Sequence, residues 1–171
     1  MHRAVSSATK LWTCATFESG ASGVERLRRL VPALWAGVLL CVALIATPAP
    51  FATLDGPTAG RVVSRIFVQE AWLSLVLAVL LLSAERARLS AEDCRGSLLN
   101  TEMLLMLGVV FCTVAGYFAV QPLLLAAKAG QGVLSFGQLH AASAAFFGLK
   151  TVLVLVLAWR GAAPSSRSAG S

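Results

Sequence analysis

Four apolar blocks, each about as long as a membrane-spanning helix, constrain the fold of this chain most strongly. They begin near Leu30, Ile66, Met103 and Phe136. A bilayer core of ~30 Å takes about 20 apolar residues per helix. In the core of a bilayer, each segment must satisfy its own backbone hydrogen bonds, which favours helices over open strands. The sequence therefore predicts an all-α, polytopic membrane protein that crosses the bilayer four times.

The composition supports this interpretation. Hydrophobic residues make up 57% of the 171 residues and charged residues 13%, whereas soluble domains have roughly 45–50% and about 25%. A soluble enzyme is excluded because no water-soluble core accounts for four such blocks. The net charge is +6, but no basic run interleaves with aromatic residues, which argues against a nucleic-acid partner and leaves the lipid bilayer as the expected surroundings.

Turn and capping residues set the expected limits of the helices. Pro48 and Pro50 should end the first span, because proline cannot continue a helix without losing a hydrogen bond. Pro57 is expected at the first helical position of the second helix. Asn100 should cap the third helix, and Pro122 should bend it. The predicted spans are about 30–47, 63–84, 102–125 and 137–159.

Positive charges predict the orientation. Ten Lys and Arg residues lie on the side of the N-terminal segment, the middle loop and the C-terminal tail, and three lie on the other side. Cytoplasmic loops carry the excess of Lys and Arg, so we expect an inner (plasma) membrane protein with both termini cytoplasmic. Around a transmembrane domain of residues 27–160 we expect a flexible extension (1–26) and a disordered tail (161–171). We further hypothesise that the native start lies near residue 24.

Short connections favour antiparallel neighbours, and so a four-helix transmembrane bundle. Helices in lipid associate through small residues, and three spans carry such stripes. These stripes, the expected contact faces, are Ala33, Gly37 and Cys41 in the first span, Gly108, Cys112 and Gly116 in the third, and Ala144 and Gly148 in the fourth. The partner helix belongs to the same chain, to a second copy in a homo-oligomer, or to another membrane protein.

Lys150 is the main anomaly, because it lies near the middle of the fourth span. A lysine there costs ~2.5–3.5 kcal/mol on insertion scales. Its side chain should point back along the helix, towards His140. Matching the depths of the antiparallel spans places Glu70 near it as one candidate partner, and a backbone carbonyl is the other. Lys150 then has either a structural role, in fixing helix register through that partner, or a role in binding or conduction.

The same depth matching gathers a candidate polar cluster in the outer half of the bundle, while the inner half is expected to be uniformly apolar. The segment from Glu85 to Ser97 should face water. The candidate cluster consists of Arg61, Arg65, Glu70, Tyr117, His140, Ser143 and Lys150.

No catalytic or metal-binding constellation stands out. The chain has no Gly-rich phosphate loop, no His-Glu-x-x-His and no Cys-x-x-Cys among its four cysteines. Its two histidines are His2 and His140, so one chain cannot supply two haem ligands within the membrane, although a dimer could do so through two copies of His140. We therefore expect a protein that is not an enzyme and has no cofactor.

Three segments in order resemble a known family. They are residues 47–51 (TPAPF), residues 59–67 (AGRVVSRIF) and residues 136–140 (FGQLH) followed by Ser143. They look like the bacterial membrane family of unknown function DUF4149, related to transmembrane protein 205, over about Leu27 to Arg160. The resemblance implies four spans and no established activity.

Two classes of function remain open. The first is a non-enzymatic integral membrane protein that acts as an assembly partner or a small transport-related component. The second is a membrane-embedded ligand-binding or redox module that uses the polar cluster in the outer half. An anionic ligand would suit the Arg61 and Arg65 side chains electrostatically.

Overall fold

The computed structural model describes residues 25–91, 100–131 and 134–162, together with Gly23. These residues form four long helices, each long and apolar enough to span a membrane, which confirms the predicted fold class. The expected extension (1–26) and tail (161–171) fall almost entirely outside the described residues. The helices are α1 (Glu25–Thr53), α2 (Gly56–Ala91), α3 (Thr101–Lys128) and α4 (Phe136–Ala162).

The helices alternate in direction, so the bundle has two distinct ends. At the first, Arg28 of α1 forms ion pairs with Glu85 near the end of α2 and Glu102 at the start of α3. The end of α4 is also there, because a Cβ on Gly161 would lie 3.5 Å from the Arg28 carbonyl oxygen. We call this the Arg28 end, and the opposite one, where α3 finishes, the Lys128 end.

Proline distorts two helices without ending them. The sequence predicted that the first span stops before Pro48, but α1 continues to Thr53. It does so through a widened π-helical turn over Val42–Ala46, where Thr47 donates its backbone N–H to the Val42 carbonyl at 2.9 Å. A similar turn in α3, Val114–Ala119, precedes Pro122. A π-turn shifts the hydrogen-bond ladder by one residue, and such turns occur frequently at functional sites.

Side-chain caps fix the starts of α2 and α3. Asp55 accepts the backbone N–H of Thr58 through Oδ2 at 3.1 Å, which places Pro57 second in the helix, one position later than predicted. The carboxylate has a pKa below its ordinary value, because the Thr58 backbone N–H stabilises its charged form. Asn100 accepts from the backbone N–H of Met103 at 2.8 Å, as its predicted capping role requires.

All four helices contribute to one packed core in the Arg28 half. Trp35 and Leu39 of α1 are buried there, whereas the predicted contact stripe of α1 faces no helix of the same chain among the described residues. Gly37 and Cys41 are exposed, and nothing lies within 4 Å of a Cβ added to Gly37. The core consists of Trp35, Ala36, Leu39, Ala78, Leu81, Met103, Met106, Val109, Val154 and Leu157.

The small-residue stripe of α3 does face a neighbouring helix, as predicted. A Cβ on Gly116 would lie 2.6 Å from the Cβ of Phe146, and one on Gly108 would lie 3.1 Å from a methyl group of Leu153. The absence of a side chain at these positions allows α3 and α4 to approach closely. Ala144 and Gly148 of α4, also predicted as a contact face, are exposed in the single chain.

In the Lys128 half the bundle opens into two helix pairs, which stay in contact between α2 and α3. The end of α1 stays with α2, and α3 stays with α4. Among the described residues, no Cα atom of α2 lies within 8 Å of one in α4. The same holds between the α1 segments Val42–Ala46 and Pro48–Thr53 and α4. The two pairs therefore enclose a space that backbone packing does not fill.

Candidate functional site

The space between the diverging pairs is a cavity of about 610 Å³. This volume lies within the ~300–1,000 Å³ typical of small-molecule sites. Helices α1 to α4 all contribute to its walls. Its polar and titratable lining residues are Thr47, Arg61, Ser64, Glu70, Cys112, Thr113, Tyr117, Gln121, Lys128, His140, Ser143 and Lys150.

A buried ion pair closes the cavity towards the packed core. The Lys150 ammonium donates to both carboxylate oxygens of Glu70, at 2.8 and 2.7 Å. The two residues are 4% and 5% exposed. The predicted pairing of Lys150 with Glu70 is therefore confirmed. A bidentate contact of this kind offsets the cost of placing each charge away from water.

The ion pair is anchored to a third helix through Glu70. The Ser74 hydroxyl donates to Glu70 Oε1 at 2.5 Å, and the Trp35 indole N–H donates to the Ser74 oxygen at 3.1 Å. Lys150 lies 4.9 Å from the centre of the Phe147 ring, one turn nearer the start of α4, as expected for a side chain that points back along its helix. The network thus links α1, α2 and α4 at the depth where the pairs begin to diverge.

Both π-turns contribute to the cavity walls. Ala43 belongs to the turn in α1, and Gly116 and Tyr117 belong to the turn in α3. Across the α2–α3 side, the Gln121 amide donates to the Ser64 hydroxyl at 3.1 Å. This hydrogen bond bridges α2 and α3 on one side of the cavity.

Basic and aromatic groups lie at the Lys128 end of the cavity. The Lys128 ammonium is 5.2 Å from the centre of the Phe136 ring, which stacks on the His140 imidazole at 5.8 Å between centroids. A Cβ on Gly60 would lie 3.8 Å from the same ammonium. Gly60 precedes Arg61, whose guanidinium donates to the Thr58 hydroxyl at 3.0 Å.

Six of the seven predicted cluster residues line this one cavity. They are Arg61, Glu70, Tyr117, His140, Ser143 and Lys150. Arg65 is not among the lining residues, and it is exposed. Of these six residues, Glu70 and Lys150 bind each other directly. Arg61 and His140 lie at the mouth of the cavity, and Ser143 and Tyr117 lie in its wall.

Sequence reasoning missed a polar cluster at the Arg28 end. Glu85, expected to face water, is 1% exposed. It pairs with Arg28 at 2.8 Å and with Arg88 at 2.8 Å, and it accepts from the Asn100 amide at 2.6 Å. The prediction that the inner half of the bundle is uniformly apolar is therefore wrong at the Arg28 end. The mixed charges of residues 85–88 were the available signal, but two partners of Glu85, Arg28 and Asn100, lie outside α2.

The cavity has the chemistry of a binding site for a molecule with polar and apolar parts. Phe67 and Phe147 meet edge-on above the ion pair, with ring centres 5.3 Å apart, so aromatic surface adjoins charge. Within the described residues, no group of three His, Cys, Asp or Glu side chains could hold a metal ion. The lining includes one buried thiol, that of Cys112.

A family model described as a domain of unknown function, DUF4149, matches residues 30–132, which is more than half of the chain. The match covers most of α1, the described parts of α2, and α3. It ends before α4, so His140, Ser143 and Lys150 lie outside it. No curated protein and no solved structure matches the chain.

Proposed function

Because this chain belongs to the DUF4149 family, whose description assigns no activity, we propose a function from its geometry. The protein is a non-enzymatic membrane protein that binds a small molecule in the cavity at its Lys128 end, as a binding or transport-related component. One observation carries the proposal: a cavity of about 610 Å³ has a buried ion pair at its base. A bundle with only a structural role would gain dispersion energy by filling that volume.

The orientation and the membrane form part of the proposal. The excess of Lys and Arg at the Arg28 end supports a cytoplasmic location for that end in a bacterial inner membrane. The cavity then opens on the outer side. A cysteine introduced at the exposed Gln131 should react with an impermeant maleimide in intact cells, and protection there would reverse the assignment.

An assembly role is the alternative in which the chain has a protein partner in the membrane. The exposed stripe of Gly37 and Cys41 is available for another helix. An assembly protein needs no internal cavity, however, so the cavity favours binding. A redox module would need a chromophore at His140, and a Soret band in the absorption spectrum of the purified protein would reveal one.

A matched pair of substitutions tests the binding function. Gly148 lines the cavity and Gly37 faces outward, and nothing lies within 4 Å of a Cβ added to either. Gly148→Trp should therefore fill the cavity, whereas Gly37→Trp adds the same side chain outside it. Native mass spectrometry of protein released from its own membranes should find a bound small molecule on the wild type and on Gly37→Trp.

The Gly148→Trp variant should lose that molecule while it keeps its fold, as judged by circular dichroism. Equal retention by both variants would mean that the molecule does not occupy the cavity. Absence of any bound molecule from all three proteins would also count against a binding function.

A further inference from the structure

The mouth of the cavity is positively charged. Arg61 and Lys128 both line it, and among the described residues neither has a carboxylate within 4 Å. Asp55, the acidic residue nearest Arg61 in the sequence, accepts the backbone N–H of Thr58 instead. Two cations without an acidic partner create a local potential that attracts an anion.

The wall between this mouth and the buried ion pair is largely apolar. A charged group held at the mouth would therefore have apolar surface directly below it, and the ion pair would bound that surface at the other end. The apolar wall residues include Phe51, Phe67, Leu124, Leu125, Phe136 and Phe147. From the mouth inward, the cavity is thus first positively charged and then apolar, which matches a molecule with an acidic head and an apolar tail.

The cavity is also open sideways, between α1 and α4. The α1 segments Val42–Ala46 and Pro48–Thr53 have no Cα atom within 8 Å of α4. The small residues Ala144 and Gly148 are exposed while they line the cavity, so they face this gap. On the opposite side, Gln121 bridges to Ser64. In a bilayer, the gap between α1 and α4 faces acyl chains.

We propose that the ligand is an anionic lipid, which enters through the gap between α1 and α4. Its acidic headgroup lies between Arg61 and Lys128, and an acyl chain lies along the apolar wall. This inference rests on the proposed binding function and specifies its ligand class. The shared chemistry of the head is a phosphate or carboxylate, which a soluble anion could also supply, so the test includes both sources.

The experiment measures binding to the full-length protein in detergent micelles by native mass spectrometry. The probes are phosphatidylglycerol, the zwitterionic phosphatidylcholine, and inorganic phosphate. Arg61→Gln and Lys128→Gln each remove one positive charge from the mouth. Arg65→Gln removes the same charge one turn further along α2, outside the cavity, and is the matched control.

Phosphatidylglycerol should bind the wild type and Arg65→Gln equally, and each mouth variant about tenfold more weakly, as expected for loss of one hydrogen bond to a charged group. Equal binding of phosphatidylcholine would overturn the acidic-head proposal. Binding of phosphate as tight as that of the lipid would overturn the lipid proposal in favour of a soluble anion. Equal losses in all three variants would indicate attraction to surface charge alone and would also overturn it.

The cavity-filling variant separates this inference from the binding function. Gly148→Trp should abolish lipid binding although both cations remain. If Gly148→Trp displaces a molecule that binds Arg61→Gln and Lys128→Gln as tightly as the wild type, the cavity binds a ligand and the lipid assignment is wrong. If Gly148→Trp displaces nothing, the binding function itself is wrong.

Discussion

The pair of Lys150 and Glu70 allows a quantitative prediction. Lys150→Met keeps the length of the side chain but removes the ammonium that donates to Glu70 at 2.7 and 2.8 Å. The carboxylate is then left at 5% exposure with the Ser74 hydroxyl as its donor. Loss of one member of a buried ion pair costs about 3–5 kcal/mol. Contact with the cavity allows some hydration, so we expect the lower part of that range.

The double variant of Lys150→Met and Glu70→Gln buries no charge. Its amide oxygen can still accept from Ser74, so its cost should be no larger than that of either single variant. The coupling between the two sites, which is the sum of the two single costs minus the cost of the double variant, is then at least about 3 kcal/mol. Arg65→Met, which removes an exposed charge from the same helix, should change stability by less than about 0.5 kcal/mol.

The assay is reversible unfolding in mixed micelles with increasing sodium dodecyl sulfate, followed by tryptophan fluorescence. Trp35 reports directly, because its indole N–H donates to Ser74 beside the pair. The four proteins of the cycle give one coupling free energy. Costs that add within about 0.5 kcal/mol would refute an energetic coupling of Lys150 and Glu70.

Three further perturbations test other parts of the fold. Gly116→Ala should cost about 1–3 kcal/mol, because its Cβ would overlap α4, whereas Gly137→Ala, in open space, should be neutral in the same unfolding assay. Arg28→Met should cost about 3 kcal/mol by leaving a buried carboxylate short of a partner, and Arg29→Met, whose partner is exposed, less than about 1 kcal/mol. The folded pKa of Asp55 is lowered, so its stabilisation holds above its ordinary pKa and is lost as pH falls below it. The hydrogen-exchange protection factors at the start of α2 should fall in acid for the wild type but not for Asp55→Asn.

The spans and the buried pair could be predicted because both follow from one-dimensional quantities. Span positions follow from hydropathy and length. The Lys150–Glu70 contact follows from depth, since antiparallel helices with a fixed rise of 1.5 Å per residue bring known positions to one level. Because helical side chains point towards the N-terminus of their helix, the ammonium lies on the N-terminal side of its own Cα.

The orientation of α1 about its own axis could not be predicted in the same way. Lipid is as apolar as a packed core, so the pattern of apolar residues does not distinguish the inner face of a span from the outer one. In α1, the small-residue stripe with Gly37 faces outward, and the bulky Trp35 is buried because its indole N–H reaches Ser74 on α2. That partner is visible only in three dimensions.

The cavity itself also depended on three-dimensional structure. The sequence placed its polar residues at a similar depth, but the cavity exists because the helix pairs diverge. The prolines predicted an end at Pro48, but α1 passes this point through a π-turn and continues to Thr53. A second π-turn precedes Pro122 in α3, and both turns contribute to the cavity wall. Glu85 is buried for a related reason: besides Arg88 on its own helix, its partners are Arg28 of α1 and Asn100 at the start of α3.

Helices α1 and α4 touch at the Arg28 end and separate at the Lys128 end. Pairs of cysteines, introduced into a chain whose four native cysteines are replaced by serine, test this arrangement directly. A disulfide requires Cα atoms within about 4.4–6.8 Å. Arg29→Cys with Gly161→Cys should form one, because a Cβ on Gly161 would lie 3.7 Å from the Arg29 Cα.

Ala43→Cys with Gly148→Cys lies across the gap, where the Cα atoms are more than 8 Å apart. The measurement is the fraction of each pair that is oxidised in membranes, read from gel mobility before and after reduction. We expect nearly complete oxidation of the first pair and little of the second. Oxidation of both pairs to the same extent would mean that α1 and α4 pack along their whole length, and would contradict the open cavity.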